Sequence, residues 1–204
     1  MKRTFLLSIA LGFLLVFVPA TSQASMIGYT LSFDPLSQVV PVGSSVDVDL
    51  VISGLGNGGP PSLGAFDLDV TYDISILDFD DYALGPYLGD LALFEAIDLS
   101  LGEWLGPGTI NLGGLSLLSE SELDALQPGS FTLATLTFDT IAVGTSPLEI
   151  PWFILSDAPG NDISGLVNVV DGSISPVPEP ATLLLLGSGL VGLGYFRRKK
   201  SLRS

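Results

Sequence analysis

In two stretches, Val46 to Ile52 and Phe66 to Asp73, apolar residues alternate with mainly acidic ones. Val46, Val48, Leu50 and Ile52 are interleaved with Asp47, Asp49 and Val51, and Phe66, Leu68, Val70 and Tyr72 with Asp67, Asp69, Thr71 and Asp73. A period of two belongs to a half-buried strand, because successive side chains point to opposite faces. The apolar set therefore faces a core and the acids face water. Similar short segments recur near Tyr29–Phe33, Ile76–Phe79, Leu91–Phe94, Thr109–Leu112, Phe131–Phe138, Leu148–Leu155 and Leu166–Ile174, separated by Gly, Pro, Asn and Asp clusters such as Gly54 to Pro61. About nine strands joined in this way predict an all-β sandwich.

One helix interrupts the series. Ser119 stands three residues before Glu122, the spacing of a capping box, Leu118 and Leu123 occupy the positions of a hydrophobic staple, and Pro128-Gly129 closes the segment. A helix this short has little stability of its own, and an irregular polar loop is the alternative.

The charges sort by position. Of 204 residues, 7 are Lys or Arg and 22 are Asp or Glu, with no His. All basic residues lie at the ends: Lys2, Arg3, Arg197, Arg198, Lys199, Lys200 and Arg203. A body carrying every acid and no cation repels phosphate backbones, which excludes nucleic-acid binding. With neither His nor Cys, the usual zinc, haem and iron–sulfur sites, a Cys nucleophile and an imidazole base for a serine triad are also excluded.

Lys2 and Arg3 precede the apolar run from Phe5 to Val18, and Ser22-Gln23-Ala24 places small residues before a cleavage point between Ala24 and Ser25. These are the parts of an export signal, and the run is too short for a bilayer span. At the other end Val177-Pro178-Glu179-Pro180 leads into the uncharged run Ala181 to Phe196 and then into Arg197, Arg198, Lys199 and Lys200. Sixteen helical residues would reach only about 24 Å, a thin span whose basic end stays in the cytoplasm. On physical grounds alone a plain tail anchor fits as well.

The order Val-Pro-Glu-Pro, then Ala-Thr-Leu-Leu-Leu-Leu-Gly-Ser-Gly-Leu-Val-Gly-Leu-Gly, then an Arg-rich end, resembles the PEP-CTERM sorting signal of Gram-negative bacteria. That resemblance implies processing by exosortase, a membrane-embedded protease that recognises Pro178, Glu179 and Pro180. It also implies an inner-membrane precursor with a periplasmic body, later placed at the cell surface or outside the cell. The middle of the chain resembles a second family. Leu63 to Asp73 followed by Ile76-Leu77 is similar to early strands of cohesin domains, and Val169-Val170-Asp171-Gly172-Ser173-Ile174 to their closing strand. The implied fold is a cohesin-like jelly-roll β-sandwich of about nine strands with one short helix, flanked by a signal peptide and a transmembrane helix. Gly129 to Phe138 resembles the cohesin-like domains of other exported PEP-CTERM proteins more than cellulosomal cohesins, so a dockerin partner is not carried over. The expected division is signal peptide 1–24, sandwich 25–175 and sorting signal 176–204.

For function, these features point to an exported, non-enzymatic adhesion or scaffolding protein with a protein or polysaccharide partner in the envelope or matrix. The alternative is a carbohydrate-binding module acting on exopolysaccharide, for which the candidate ring platforms are Trp104, Tyr82 and Tyr87, all expected in loops. Trp152, inside the apolar run Ile150 to Leu155, is expected in the core. No cofactor is expected; calcium alone has candidate ligands, Asp78, Asp80 and Asp81 in one cluster and Asp157, Asn161 and Asp162 in another, but neither follows an EF-hand loop, and solvated acid clusters are the alternative. Carboxylates abound, but nothing marks Glu95, Glu103 or Glu149 as the acid of a glycosidase pair, and no catalytic residue is assigned.

Overall fold

The structure, a computed structural model, describes residues 28–179 and 188–190. The predicted signal peptide with its Ala24–Ser25 junction, Pro180, the basic cluster and most of the apolar run before it lie outside the described residues. Among the described residues, no helix is long and apolar enough to cross a membrane.

Among the described residues, eleven strands form two sheets. They are β1 (Tyr29–Asp34), β2 (Ser37–Pro41), β3 (Ser45–Ser53), β4 (Leu63–Thr71), β5 (Leu77–Leu84), β6 (Ala96–Asp98), β7 (Thr109–Ser116), β8 (Ser130–Thr140), β9 (Ser146–Asp157), β10 (Val167–Val170) and β11 (Gly172–Val177). One sheet runs β10-β1-β3-β8-β5, the other β2-β11-β9-β4-β7-β6. The chain passes between the sheets at nearly every connection, and the crossings from β1 to β2 and from β10 to β11 place a late strand parallel to an early one in each sheet: β10 beside β1 and β11 beside β2. The two ends of the fold thus hold each other in both layers.

The alternation sets the core as predicted. Val46, Val48, Leu50, Ile52, Phe66, Leu68 and Val70 are buried, with Leu31, Phe33, Ile110, Leu112, Leu136, Phe138, Leu148 and Ile174 between the layers. Asp47 and Asp67 face solvent, whereas Asp49 and Asp69 are half-covered. Burying one such Leu contributes about 1.5–3 kcal/mol. Gly114 is required on the inner face of β7, since a Cβ there would stand 2.8 Å from the Phe66 ring and 2.9 Å from Leu88.

The predicted helix exists as α1 (Glu120–Leu126), with Glu122 Oε2 accepting from the Ser119 N–H at 2.8 Å and from its hydroxyl at 2.6 Å. Two expectations are corrected. Leu91–Phe94 is not a strand: Leu91–Leu93 is a 3-10 turn, because the Asp90 carboxylate accepts from the Ala92 N–H and Phe94 takes a left-handed backbone at φ 59°. The strand of this region is β6, just beyond it. Leu166–Ile174 is two strands rather than one, divided between the sheets, and β2 had no counterpart in the predicted pattern.

Candidate functional site

The outer face of the six-stranded sheet is built by an irregularity in β9. Thr71 pairs with Glu149, yet Asp69, two residues back, pairs with Trp152, three residues on. The extra residue at Ile150-Pro151 is a bulge, which reverses the parity of everything after it. Leu148 and Ile150 point inward before the bulge, and Leu155 does so after it, so Trp152 and Ile154 turn outward. Trp152, expected in the core, is 44% exposed. The apolar run is real, but it serves two faces.

Across the sheet, Trp152 and Ile154 stand beside Asp69 and Asp67, which in turn pair with Asn111 and Gly113 of β7. Ile97 and Leu115 continue the face at the edge, and both are exposed. Buried Asn111 joins the two carboxylates: its Nδ2 donates to Asp67 Oδ1 at 2.9 Å and to Asp69 Oδ1 at 3.0 Å. One amide thereby holds two like charges on adjacent outward positions. The result is an apolar strip crossed by a fixed negative pair, on a body where no described residue is Lys or Arg. Such a strip suits a partner surface that brings both apolar side chains and cations.

The three candidate rings do not form one platform. Tyr82 lies on β5, half-buried, with its hydroxyl donating to Asp98 Oδ2 at 3.0 Å. Tyr87 sits in the 3-10 turn Pro86–Leu88 and packs on Phe131 with ring centroids 5.0 Å apart. Tyr82 thus lies in a strand, which corrects its expected loop position, whereas Tyr87 is in the connection between β5 and β6 as expected but packs against the sandwich. Trp104 alone stays exposed, on the 3-10 turn Glu103–Leu105 at the tip of the β6–β7 hairpin. Its neighbour Glu103 accepts from the Tyr72 hydroxyl and from the Gly108 N–H, pinning the hairpin to the end of β4.

The acid clusters are likewise spent locally. Asp157 accepts from Asn161 through both its N–H (2.6 Å) and its side-chain amide, and Asp162 from the Ser164 N–H at 2.8 Å. Ser164 holds the Asp162 carboxyl below its usual range. Asp78, Asp80 and Asp81 are exposed along β5, where Asp81 accepts from the Tyr82 N–H. Among the described residues, no three acidic side chains gather in a metal-holding group. A groove of about 540 Å³ beside Asp90, Glu95 and Leu126 contains two carboxylates, and both accept turn bonds, Asp90 from Ala92 and Glu95 from the Asp90 N–H.

The sorting motif begins inside the sheet: Val177 is the last residue of β11 and pairs with Pro41 of β2. Pro178 and Glu179 leave the sheet exposed. Sequence reasoning missed the Trp152 face, and the clue available was Pro151, which breaks strand pairing and favours a bulge.

Residues 176–199 match the family described as PEP-CTERM protein-sorting motif. No curated protein matches the chain. Solved structures match its body. A cohesin of Clostridium acetobutylicum is 19% identical with a TM-score of 0.57, covering 75% of this chain and 93% of that one. A type I cohesin of Clostridium thermocellum, solved in a cohesin–dockerin complex, is 12% identical at a TM-score of 0.58, covering 74% and 99%. A non-cellulosomal cohesin of the archaeon Archaeoglobus fulgidus is 15% identical at 0.53, covering 76% and 94%. At these identities the likeness is one of fold. The chain carries a PEP-CTERM sorting motif on a cohesin-like jelly-roll sandwich.

Proposed function

We propose that this is an exported, non-enzymatic surface protein of the adhesion or scaffolding type, whose sandwich holds a partner protein on the outer face of the six-stranded sheet. Export through a signal peptide over residues 1–24, a body over 25–175 and exosortase processing at Pro178-Glu179-Pro180 complete the proposal. The sorting motif supports the route and the cohesin-like fold supports a binding role, since the C. thermocellum relative was solved with a dockerin bound. The observation that carries the binding reading is the outward pair Trp152 and Ile154 beside the clamped pair Asp67 and Asp69. An exposed Trp next to apolar and charged groups is the composition of a binding hot spot. The complementary partner offers an apolar patch ringed by Lys or Arg.

Crosslinked capture from the native envelope tests this. A partner protein retained by the wild type and by Trp104→Ser, but lost from Trp152→Ser and weakened in Asp69→Asn, supports the face. Glycan-array binding by the body that disappears in Trp104→Ala, with no protein captured through Trp152, would favour a carbohydrate-binding module instead.

A further inference from the structure

The last strand ends within reach of the membrane run. The Val177 carbonyl accepts from the Val42 N–H at 2.9 Å, so the chain is fixed to the sheet up to that point. The apolar run starts at Ala181, and four residues of fully extended chain span at most about 14 Å. The end of the sandwich where β11 finishes can therefore lie no more than about 14 Å from the start of that run.

That end is apolar. Its loops are stitched side by side: the Tyr72 N–H donates to Gly108 O at 3.1 Å, Ile141 N–H to Ile76 O at 2.9 Å, and Gly144 N–H to Pro176 O at 3.2 Å. From them project Trp104, 83% exposed, and Leu105 on the β6–β7 hairpin, Ile74 in the β4–β5 turn, and Ile141 and Val143 in the β8–β9 loop, all more than half exposed. Ile74 reaches the hairpin, since a Cβ on Gly108 would stand 3.1 Å from its Cγ2. Single exposed apolar residues need no explanation. Five on three adjoining loops, at the end from which the membrane run departs, form a patch of the kind that meets another phase.

We propose that this end of the sandwich rests on the lipid interface while the precursor is anchored, with Trp104 seated at the headgroup boundary, where tryptophan is enriched. The inference depends on the sorting reading, because it takes 181–196 as the membrane segment. Contact is made by apolar burial and not by charge: Asp73 and exposed Asp139 lie at the same end, and no described residue there is a cation. Zwitterionic lipid therefore suffices, and anionic lipid weakens the contact. With its strands running away from the membrane, the body stands without a stalk and leaves the Trp152 face open sideways to a partner.

The chain has two tryptophans, so each can report alone. Precursor purified from a host lacking exosortase is reconstituted into phosphatidylcholine vesicles with and without brominated acyl chains, as Trp152→Phe (reporting Trp104) and as Trp104→Phe (reporting Trp152). The expected result is flotation of both, with a loss of Trp104 emission in brominated lipid several times that of Trp152. Flotation with Trp104 no more quenched than Trp152, and open to acrylamide, would overturn the lipid contact and leave the anchor in place. Failure to float would remove the membrane reading itself, and this inference with it.

Discussion

Gln127 takes the place of a strand neighbour for Leu63. Its Oε1 accepts from the Leu63 N–H at 2.7 Å and its Nε2 donates to the Leu63 carbonyl at 2.8 Å, with a second donation to the Tyr87 carbonyl at 2.9 Å. A buried side-chain amide, placed where α1 ends, thus satisfies the backbone at the start of β4 and ties in the turn that carries Tyr87. Backbone groups left unpaired in a dry interior are costly, so one glutamine joins three segments.

Gln127→Ala leaves three backbone groups without a partner, the two on Leu63 buried and the Tyr87 carbonyl partly so, and should cost about 2–4 kcal/mol of unfolding free energy. Urea denaturation of the purified protein reads it directly. Gln127→Glu retains the acceptor but loses both donations at neutral pH and regains one when protonated, so its deficit should shrink as the pH falls toward 5. A Gln127→Ala midpoint equal to wild type would show that water replaces the amide without loss.

Asn111 supports a different prediction, because its amide separates the Asp67 and Asp69 carboxylates. Asn111→Asp sets a third acid beside them, and the melting temperature should fall, with partial recovery at high salt as the repulsion is screened. Asn111→Ala should cost less, since it adds no charge. A salt-independent deficit for Asn111→Asp would place the cause in packing instead.

Much of this fold was legible beforehand, and the reason is physical. Where an acid alternates with an aliphatic residue, as from Val46 to Ile52, burial has only one solution, and the sheet follows. Bulges and side-chain substitutes for strand neighbours obey no period. Trp152 escapes the pattern because a single inserted residue at Ile150-Pro151 reverses the face, and Gln127 escapes it because a lone polar residue after a helix gives no sign that it will be buried. Leu91–Phe94 shows a further limit: four residues of apolar composition suited a strand, but the Asp90 side chain and the left-handed Phe94 made a turn.

Solution behaviour should follow charge. The described residues carry all 22 acids, Glu179 of the sorting motif among them, and no base, so lowering the pH from 7 to 4 reduces self-repulsion and association should rise, as it should on adding salt. Light scattering that stays flat over that range would contradict it. Ser75 donates to Asp73 through its hydroxyl and N–H, and Ser119 does the same for Glu122, which lowers both carboxyls below their ordinary values of 3.8 and 4.5. A folded pKa below the unfolded one gives stability that is present above the ordinary value and lost as the pH falls through the lowered one. These two carboxyls should therefore add their small stabilisation near neutral pH and lose it only in acid, as the pH falls through their lowered values.

At alkaline pH the sign reverses. Burial, and then the hydrogen bond to Glu103, push the Tyr72 hydroxyl well above its ordinary value of 10.0. The neutral phenol is favoured in the fold, so its contribution is complete below about pH 10 and declines as the pH rises beyond that. Tyr72→Phe should flatten the loss of stability above pH 10 while loosening the hairpin that carries Trp104. An unchanged alkaline slope would assign that loss to Tyr29 and Tyr82, which burial also raises.

On the proposed function, this sandwich is a cargo delivered by its C-terminal motif. Val177 belongs to the sheet, whereas Glu179 lies two residues beyond β11 and is exposed, so Glu179→Ala should leave export and folding unchanged. In a host that has the exosortase, the size of the protein in membrane and extracellular fractions is then the decisive measurement. The account predicts that the Glu179→Ala precursor accumulates at full length in the membrane while the wild type is processed. Processing of Glu179→Ala to the same size at the same rate would contradict it, and a simple tail anchor would take the motif's place.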